Sequence, residues 1–195
     1  MAKLYFKFGA MGSSKTANAL MTKFNYEEKG KKVWLIKPAI DTRDGETVLR
    51  SRIGLQANAT VIKKEDRIID ICPLNEIDVI ICDESQFLTP EQVDDLRLIV
   101  SDYNIPVLCF GLRSDFLTHL FPGSQRLFEL ADSITEIKSI CKCGAKATVN
   151  ARFDGNGYIQ TSGEQIQLGG NESYESMCWS CYHKLVLEKG NRLNK

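Results

Sequence analysis

The sequence predicts an α/β protein, a parallel sheet flanked by helices, followed by a small module of hairpins and loops held by a metal. Three observations carry that prediction. Short apolar runs alternate with helical stretches from Lys3 to about Asp132. Glycines crowd the chain after Cys141, where the long helical pattern stops. Four of the seven cysteines fall in two close pairs that flank the glycine-rich stretch. The division implied is residues 1–138 for the α/β domain and 139–195 for the module.

Five strands stand out, Leu4 to Phe8, Val33 to Lys37, Ala59 to Ile62, Asp78 to Cys82 and Pro106 to Phe110, with Ser133 to Ile137 as a sixth. Val79-Ile80-Ile81-Cys82 and Val107-Leu108-Cys109-Phe110 are apolar at every position, as strands covered by helices on both faces must be. Lys15 to Glu28 reads as a helix closed by Lys29-Gly30, and Pro90-Glu91-Gln92 opens another running to about Val100. Asp41 to Gln56 is polar and charged without clean periodicity, which reads as a loop with function. A last helical stretch is expected near Tyr182 to Lys189.

Composition narrows the classes of function. The 195 residues include 25 Lys+Arg against 25 Asp+Glu, so no basic excess advertises a nucleic-acid partner. No apolar run approaches the roughly 18 residues that span a bilayer, and Met1 to Phe6 does not begin a secretory signal. The expected location is the cytoplasm, where paired cysteines point to metal rather than to disulfides.

Gly9-Ala10-Met11-Gly12-Ser13-Ser14-Lys15-Thr16 follows the first strand and opens the first helix. It matches the phosphate-binding pattern G-x-x-x-x-G-K-[ST] except that Ser14 replaces the last glycine. Small residues let successive backbone N–H groups face the β- and γ-phosphates, and the helix dipole adds positive potential. Lys15 would reach the phosphate oxygens, and the Thr16 hydroxyl would hold Mg²⁺. Such a loop makes the fold class a P-loop sheet of the RecA-like type. The bland alternative is a glycine- and serine-rich turn with a chance lysine.

Asp83-Glu84 leaves the C-terminal end of a buried strand, where open α/β sheets bind ligands. Asp83 suits a carboxylate that assists Thr16 in holding Mg²⁺, and Glu84 can face a hydroxyl as a general base. Alone, the pair could equally start a solvated loop. Cys141-Lys142-Cys143 and Cys178-Trp179-Ser180-Cys181 suit a four-thiolate structural Zn²⁺, with His183 as an alternative ligand. Cys72, Cys82 and Cys109 lie in apolar runs and read as buried thiols.

The series Gly9 to Thr16, Asp41-Thr42-Arg43, Asp83-Glu84-Ser85-Gln86-Phe87, Gly169-Gly170 with Tyr174, and the second cysteine pair resembles the zinc-containing thymidine kinases of cellular and bacterial type. The resemblance implies transfer of the γ-phosphate of ATP to the 5′-hydroxyl of thymidine, with deoxyuridine secondary. It implies Glu84 and Arg43 as catalytic residues, with Gly9, Ala10, Met11, Gly12, Ser13, Ser14, Lys15, Thr16, Asp83 and Gln86 at ATP. Asp41, Phe87, Leu112, Phe116, Gln167, Leu168, Gly169, Gly170 and Tyr174 would surround the nucleoside, several of them on a lasso loop stiffened by the zinc module. A homotetramer and feedback inhibition by thymidine triphosphate (dTTP) are implied as well. Gly111-Leu112-Arg113-Ser114-Asp115-Phe116 departs from the G-L-D-x-x-F form of such proteins at Arg113.

Two other classes share parts of this pattern. An ATPase that moves along nucleic acid would use Gly9 to Thr16 and Asp83, but it would need a basic face. A zinc-ribbon adaptor leaves the phosphate loop and the acidic pair unexplained. A GTP switch would need an N-K-x-D run, which does not occur.

Overall fold

The computed structural model describes residues 1–39, 47–166 and 173–189. Six parallel strands form the main sheet: β1 (Leu4–Phe8), β2 (Val33–Pro38), β5 (Thr60–Ile62), β6 (Val79–Cys82), β7 (Val107–Gly111) and β8 (Ser133–Glu136). Their spatial order is β5-β2-β6-β7-β1-β8. The strand before the phosphate loop, β1, and the strand before the acidic pair, β6, thus lie on either side of β7.

Alternation along these strands sends residues to two cores. Ile80 and Cys82 join Leu4, Phe6, Val107 and Cys109 in one, covered by Val93, Leu96, Ile99 and Leu127. Val79 and Ile81 join Leu108 and Phe110 in the other, beneath Ala19 and Leu20 of α1 (Lys15–Glu28). The covering helices on the first face are α2 (Ile68–Ile71), α3 (Pro90–Tyr103) and α4 (Pro122–Leu130). Local chemistry sets the start of α3. Thr89 and Gln92 form a reciprocal capping box, with Thr89 Oγ1 accepting from the Gln92 N–H at 3.2 Å and Gln92 Oε1 from the Thr89 N–H at 3.1 Å.

The stretch read as an irregular loop contains regular structure. β3 (Val48–Arg50) lies within it and pairs as an antiparallel hairpin with β4 (Gln56–Asn58), which begins at its last residue. Leu49, 3% exposed, anchors this hairpin in the core under α1. Two short helices, α2 and α4, were not expected from the sequence; each is too short to show a clear period.

The C-terminal module has its own apolar cluster. Antiparallel β9 (Val149–Arg152) and β10 (Tyr174–Met177) pack with α5 (Trp179–Leu187), burying Ala147, Val149, Ala151, Phe153, Met177, Tyr182 and Leu185. Ala10 of the phosphate loop packs against the same cluster. The module therefore rests against the phosphate loop Gly9 to Thr16.

Candidate active site

The phosphate loop is shaped by close approach and by backbone torsion. A side chain on Gly9 would collide with the Ser13 hydroxyl and the Ile137 carbonyl oxygen. Gly12 has φ +75° and Ser14 φ 61°, so two turns of this loop are left-handed. Glycine occupies such a torsion at little cost; serine does not. The Lys15 ammonium is 8% exposed and donates to the Ala10 carbonyl at 2.8 Å and to Ser13 Oγ at 3.4 Å.

Asp83 emerges from β6 into the space reached by Thr16. The Thr16 hydroxyl donates to Asp83 Oδ2 at 2.7 Å, joining the segments that follow β1 and β6, two strands that are not neighbours in the sheet. Asp83 is 1% exposed, and its other oxygen, Oδ1, has no hydrogen-bond partner among the described residues. Burial pushes the carboxyl up to about 7, helped by Glu84 and opposed by the Thr16 hydroxyl and the Lys15 ammonium. A buried carboxylate oxygen without a donor calls for a cation. Hard oxygen ligands of this kind, one carboxylate and one hydroxyl beside a phosphate cradle, fit Mg²⁺.

Glu84 follows with φ 51° and ψ 35°, a left-handed turn that sends its carboxylate away from the neighbouring Asp83. Its Oε2 accepts from Gln86 Nε2 at 2.6 Å. The other end of that amide, Oε1, accepts from the Leu112 N–H at 2.9 Å. Gln86 was expected beside ATP; the structure buries it to 1% exposure with both amide ends engaged by Glu84 and Leu112. Gly111 is needed here, because a Cβ would stand 2.6 Å from Ser85 Oγ and 2.8 Å from Gln86 Oε1.

The aromatic residues expected around a nucleoside divide. Phe87 is half-buried and meets Phe121 edge-on at 5.7 Å. Phe116 is 1% exposed, with the Arg152 guanidinium 3.5 Å above its ring centre. Tyr174 is half-buried on β10. Asp41, Arg43, Gln167, Leu168, Gly169 and Gly170 lie outside the described residues.

Several residues that sequence reasoning missed tie the module to the site. Asn150, 4% exposed, accepts from the Met11 N–H of the phosphate loop at 2.7 Å and donates to the Ser114 carbonyl at 3.1 Å. The Arg113 guanidinium donates to the Thr148 carbonyl at 3.0 Å. Arg152 also donates to Gln160 Oε1 and to the Glu164 carbonyl, at 2.5 and 2.8 Å. The signal that could have found them is the spacing of Asn150 and Arg152 on a short strand, where two polar residues alternate with the core residues Val149 and Ala151 and all four are buried.

The four expected metal ligands converge. The sulfurs of Cys141, Cys143, Cys178 and Cys181 all lie within 4.8 Å of one another, and Cys143 Sγ is 3.6 Å from Cys178 Sγ. A tetrahedral site with Zn–S bonds of about 2.3 Å needs sulfurs about 3.8 Å apart, so the donor set fits Zn²⁺. Burial works against ionisation of Cys141, yet the backbone N–H groups of Cys143 and Cys178 and the neighbouring thiols hold it down at about 6. Cys181, crowded by the thiols of Cys178, Cys143 and Cys141, is pushed up to about 12. His183 instead stacks on Trp179, ring centres 5.8 Å apart.

A RecA-like parallel sheet with a phosphate loop, a buried Asp83 paired with Thr16, and an adjacent Glu84 defines a P-loop phosphotransferase. The comparisons with known proteins make this specific. A family model described as thymidine kinase matches residues 2–182. The thymidine kinase of Zymomonas mobilis subsp. mobilis is 46% identical over 197 residues, covering 99% of this chain and 100% of that protein. That of Shewanella oneidensis is 41% identical over 190 residues, covering 95% and 99%. The chain belongs to the thymidine kinase family. A solved Pif1 helicase from Candida albicans shares 13% identity at a TM-score of 0.40, over 71% of this chain and 36% of the helicase, too slight a likeness to argue from.

Proposed function

We propose that this thymidine kinase performs phosphoryl transfer from ATP to the 5′-hydroxyl of thymidine with Glu84 as the general base and the Gly9–Thr16 loop as the phosphate cradle. The observation that carries this reading is the divergence of two adjacent carboxylates: Asp83 turns to Thr16 at 2.7 Å, and Glu84 turns to Gln86 at 2.6 Å. Phosphoryl transfer depends mostly on positioning and charge, and it needs a cradle, a cation and a base that are separate but close. Lys15 would bind the phosphate oxygens by exchanging its internal contacts for them. Thr16 and Asp83 would hold Mg²⁺, which when bound neutralises charge on the β- and γ-phosphates. Glu84, oriented through Gln86, would accept the hydroxyl proton. Arg43 would supply a further positive charge, and Asp41, Phe87, Leu112, Phe116, Gln167, Leu168, Gly169, Gly170 and Tyr174 would enclose the nucleoside.

The same reading assigns Zn²⁺ to Cys141, Cys143, Cys178 and Cys181, and divides the chain at residues 138 and 139. The separate apolar cluster of the module supports that division. A homotetramer, inhibition by dTTP at the nucleoside site, and a cytoplasmic location complete it. No described helix is long and apolar enough to cross a membrane. Size-exclusion chromatography returning a monomer would remove the tetramer.

The decisive experiment measures ADP release from ATP and Mg²⁺ with each of the four deoxynucleosides, and with none. Turnover with thymidine, and slower turnover with deoxyuridine, is expected. One methyl group discriminates by only about 1–3 kcal/mol, so deoxyuridine remains a substrate. Equal turnover with no nucleoside overturns the assignment in favour of an ATPase.

A further inference from the structure

The β3–β4 hairpin lies outside the main sheet, yet it is firmly attached. Leu49 is in the core under α1, the buried Lys37 ammonium donates to the Val48 carbonyl at 2.9 Å, and the Ala59 N–H donates to the Thr47 carbonyl at 2.8 Å. Its tip is closed by Ser51, which is 5% exposed. The Ser51 N–H donates to the Leu55 carbonyl at 2.8 Å, Ser51 Oγ accepts from the Leu55 N–H at 3.0 Å, and the Gly54 N–H donates to the Ser51 carbonyl at 3.1 Å. Gly54 takes the left-handed torsion, φ +89°, that the turn requires.

This construction holds one side chain against the phosphate loop. Arg52 Nη1 lies 3.7 Å from the point where a Cβ would stand on Gly12. Arg52 is exposed, and among the described residues it makes no hydrogen bond or ion pair. Neither burial nor charge pairing within the described structure accounts for a guanidinium at that place. A guanidinium presents five N–H donors in a planar fork that matches phosphate oxygens, and it stays charged at any working pH.

We propose that Arg52 is a phosphate-binding residue, which closes from the hairpin onto the polyphosphate chain of the nucleotide held by Gly9 to Thr16. The proposal rests on the reading that ATP occupies that loop. Arg52 adds a cation to those of Lys15 and Arg43, carried on a different element. The Ser51 turn fixes its backbone, so only the side chain has to be ordered on binding. The contact is with phosphate, not with base or sugar, so affinity for ATP depends on it and affinity for thymidine does not.

The test compares the wild-type chain with Arg52→Ala, Arg52→Lys and Lys15→Ala in steady-state kinetics at low and moderate salt. Arg52→Ala is expected to raise KM for ATP about tenfold, the scale of one charge-assisted hydrogen bond, with KM for thymidine and the melting temperature unchanged. Arg52→Lys should fall between, and added salt should narrow the gap because the pair is exposed. Unchanged KM for ATP in Arg52→Ala, or an equal rise in KM for thymidine, overturns the proposal. If Lys15→Ala impairs ATP use and Arg52→Ala does not, the role of Arg52 alone falls. If neither variant affects ATP use, the phosphate-loop reading falls with it.

Discussion

Replacing Ser14 by glycine tests the strain in the phosphate loop. Ser14 has φ 61° and ψ 30° at the start of α1, and its side chain makes no capping hydrogen bond. The left-handed torsion costs a residue with a Cβ about 1–2 kcal/mol. Glycine removes that cost but adds freedom to the unfolded chain, which takes back about 0.4–1 kcal/mol. The Ser14 carbonyl still accepts from the Asn18 N–H at 3.0 Å and from Asn18 Nδ2 at 2.9 Å in either variant, since both bonds use backbone oxygen. The net gain is roughly 0.5–1 kcal/mol, a rise in melting temperature of about 1–4 °C for a chain of this size. Differential scanning calorimetry without nucleotide measures it. Ser14→Ala serves as the control: it keeps the Cβ and loses only the uncapped hydroxyl, so its melting temperature should match the wild type. A melting temperature for Ser14→Gly at or below the wild-type value would refute the reasoning, because it would mean that the hydroxyl contributes more than the torsion costs.

Glu84→Gln should keep ATP binding, read by nucleotide titration, while turnover falls at least about a hundredfold; normal turnover would remove Glu84 as the base. Gln86→Leu should lower kcat while leaving KM for ATP near its wild-type value, because its amide serves Glu84 and the Leu112 N–H. A raised KM for ATP with kcat intact would instead support the expected place of Gln86 beside ATP. Removing zinc with a chelator should release about one ion per chain and lower the melting temperature; an unchanged melting curve after metal loss would deny the cysteine cluster a structural role. Asp132→Ala tests a surface bond by pH. The Asp132 carboxyl is held below its ordinary range first by the Leu4 N–H at 2.8 Å and then by Arg97 at 2.6 Å. A depressed pKa contributes stability above the unfolded value and loses it as pH falls through the folded one. The variant should therefore be only a few tenths of a kcal/mol less stable at neutral pH, because solvent screens both contacts, with the difference closing below about pH 4, as followed by thermal melts.

The parts of this molecule that were legible in the sequence are those where one physical demand fixed the residues. A strand covered on both faces must be apolar throughout, so β6 and β7 were visible as Val-Ile-Ile-Cys and Val-Leu-Cys-Phe. The start of α3 was visible because Pro90 suits the first position of a helix, while the Thr89 cap emerged only from the structure. The phosphate loop, the acidic pair and the cysteine pairs were visible because each needs particular atoms at fixed spacing. The hairpin β3–β4 was not, since Gln56-Ala57-Asn58 has no alternation strong enough to announce a strand, and its buried apolar residue, Leu49, acquires meaning only from the core above it. Asn150 and Arg152 were hidden for a related reason. Their partners, Met11 and Phe116, lie at least 36 positions away, the separation of Arg152 from Phe116, and nothing local marks a long-range contact.

Those hidden contacts also suggest what a zinc ion held by the four cysteines would do for this enzyme. Zinc cannot act on the phosphates from a closed four-thiolate shell, so its effect must be mechanical. The cysteine cluster sits where β10 passes into α5, and from that frame Asn150 reaches the Met11 N–H, Tyr182 donates to the Phe116 carbonyl at 3.0 Å, and Arg152 covers the Phe116 ring. One small module thereby sets the position of the phosphate loop and of the segment after β7 together. In a reaction governed by placement, where a displacement of about 1 Å can cost a hundredfold in rate, holding both from one frame would contribute directly to catalysis.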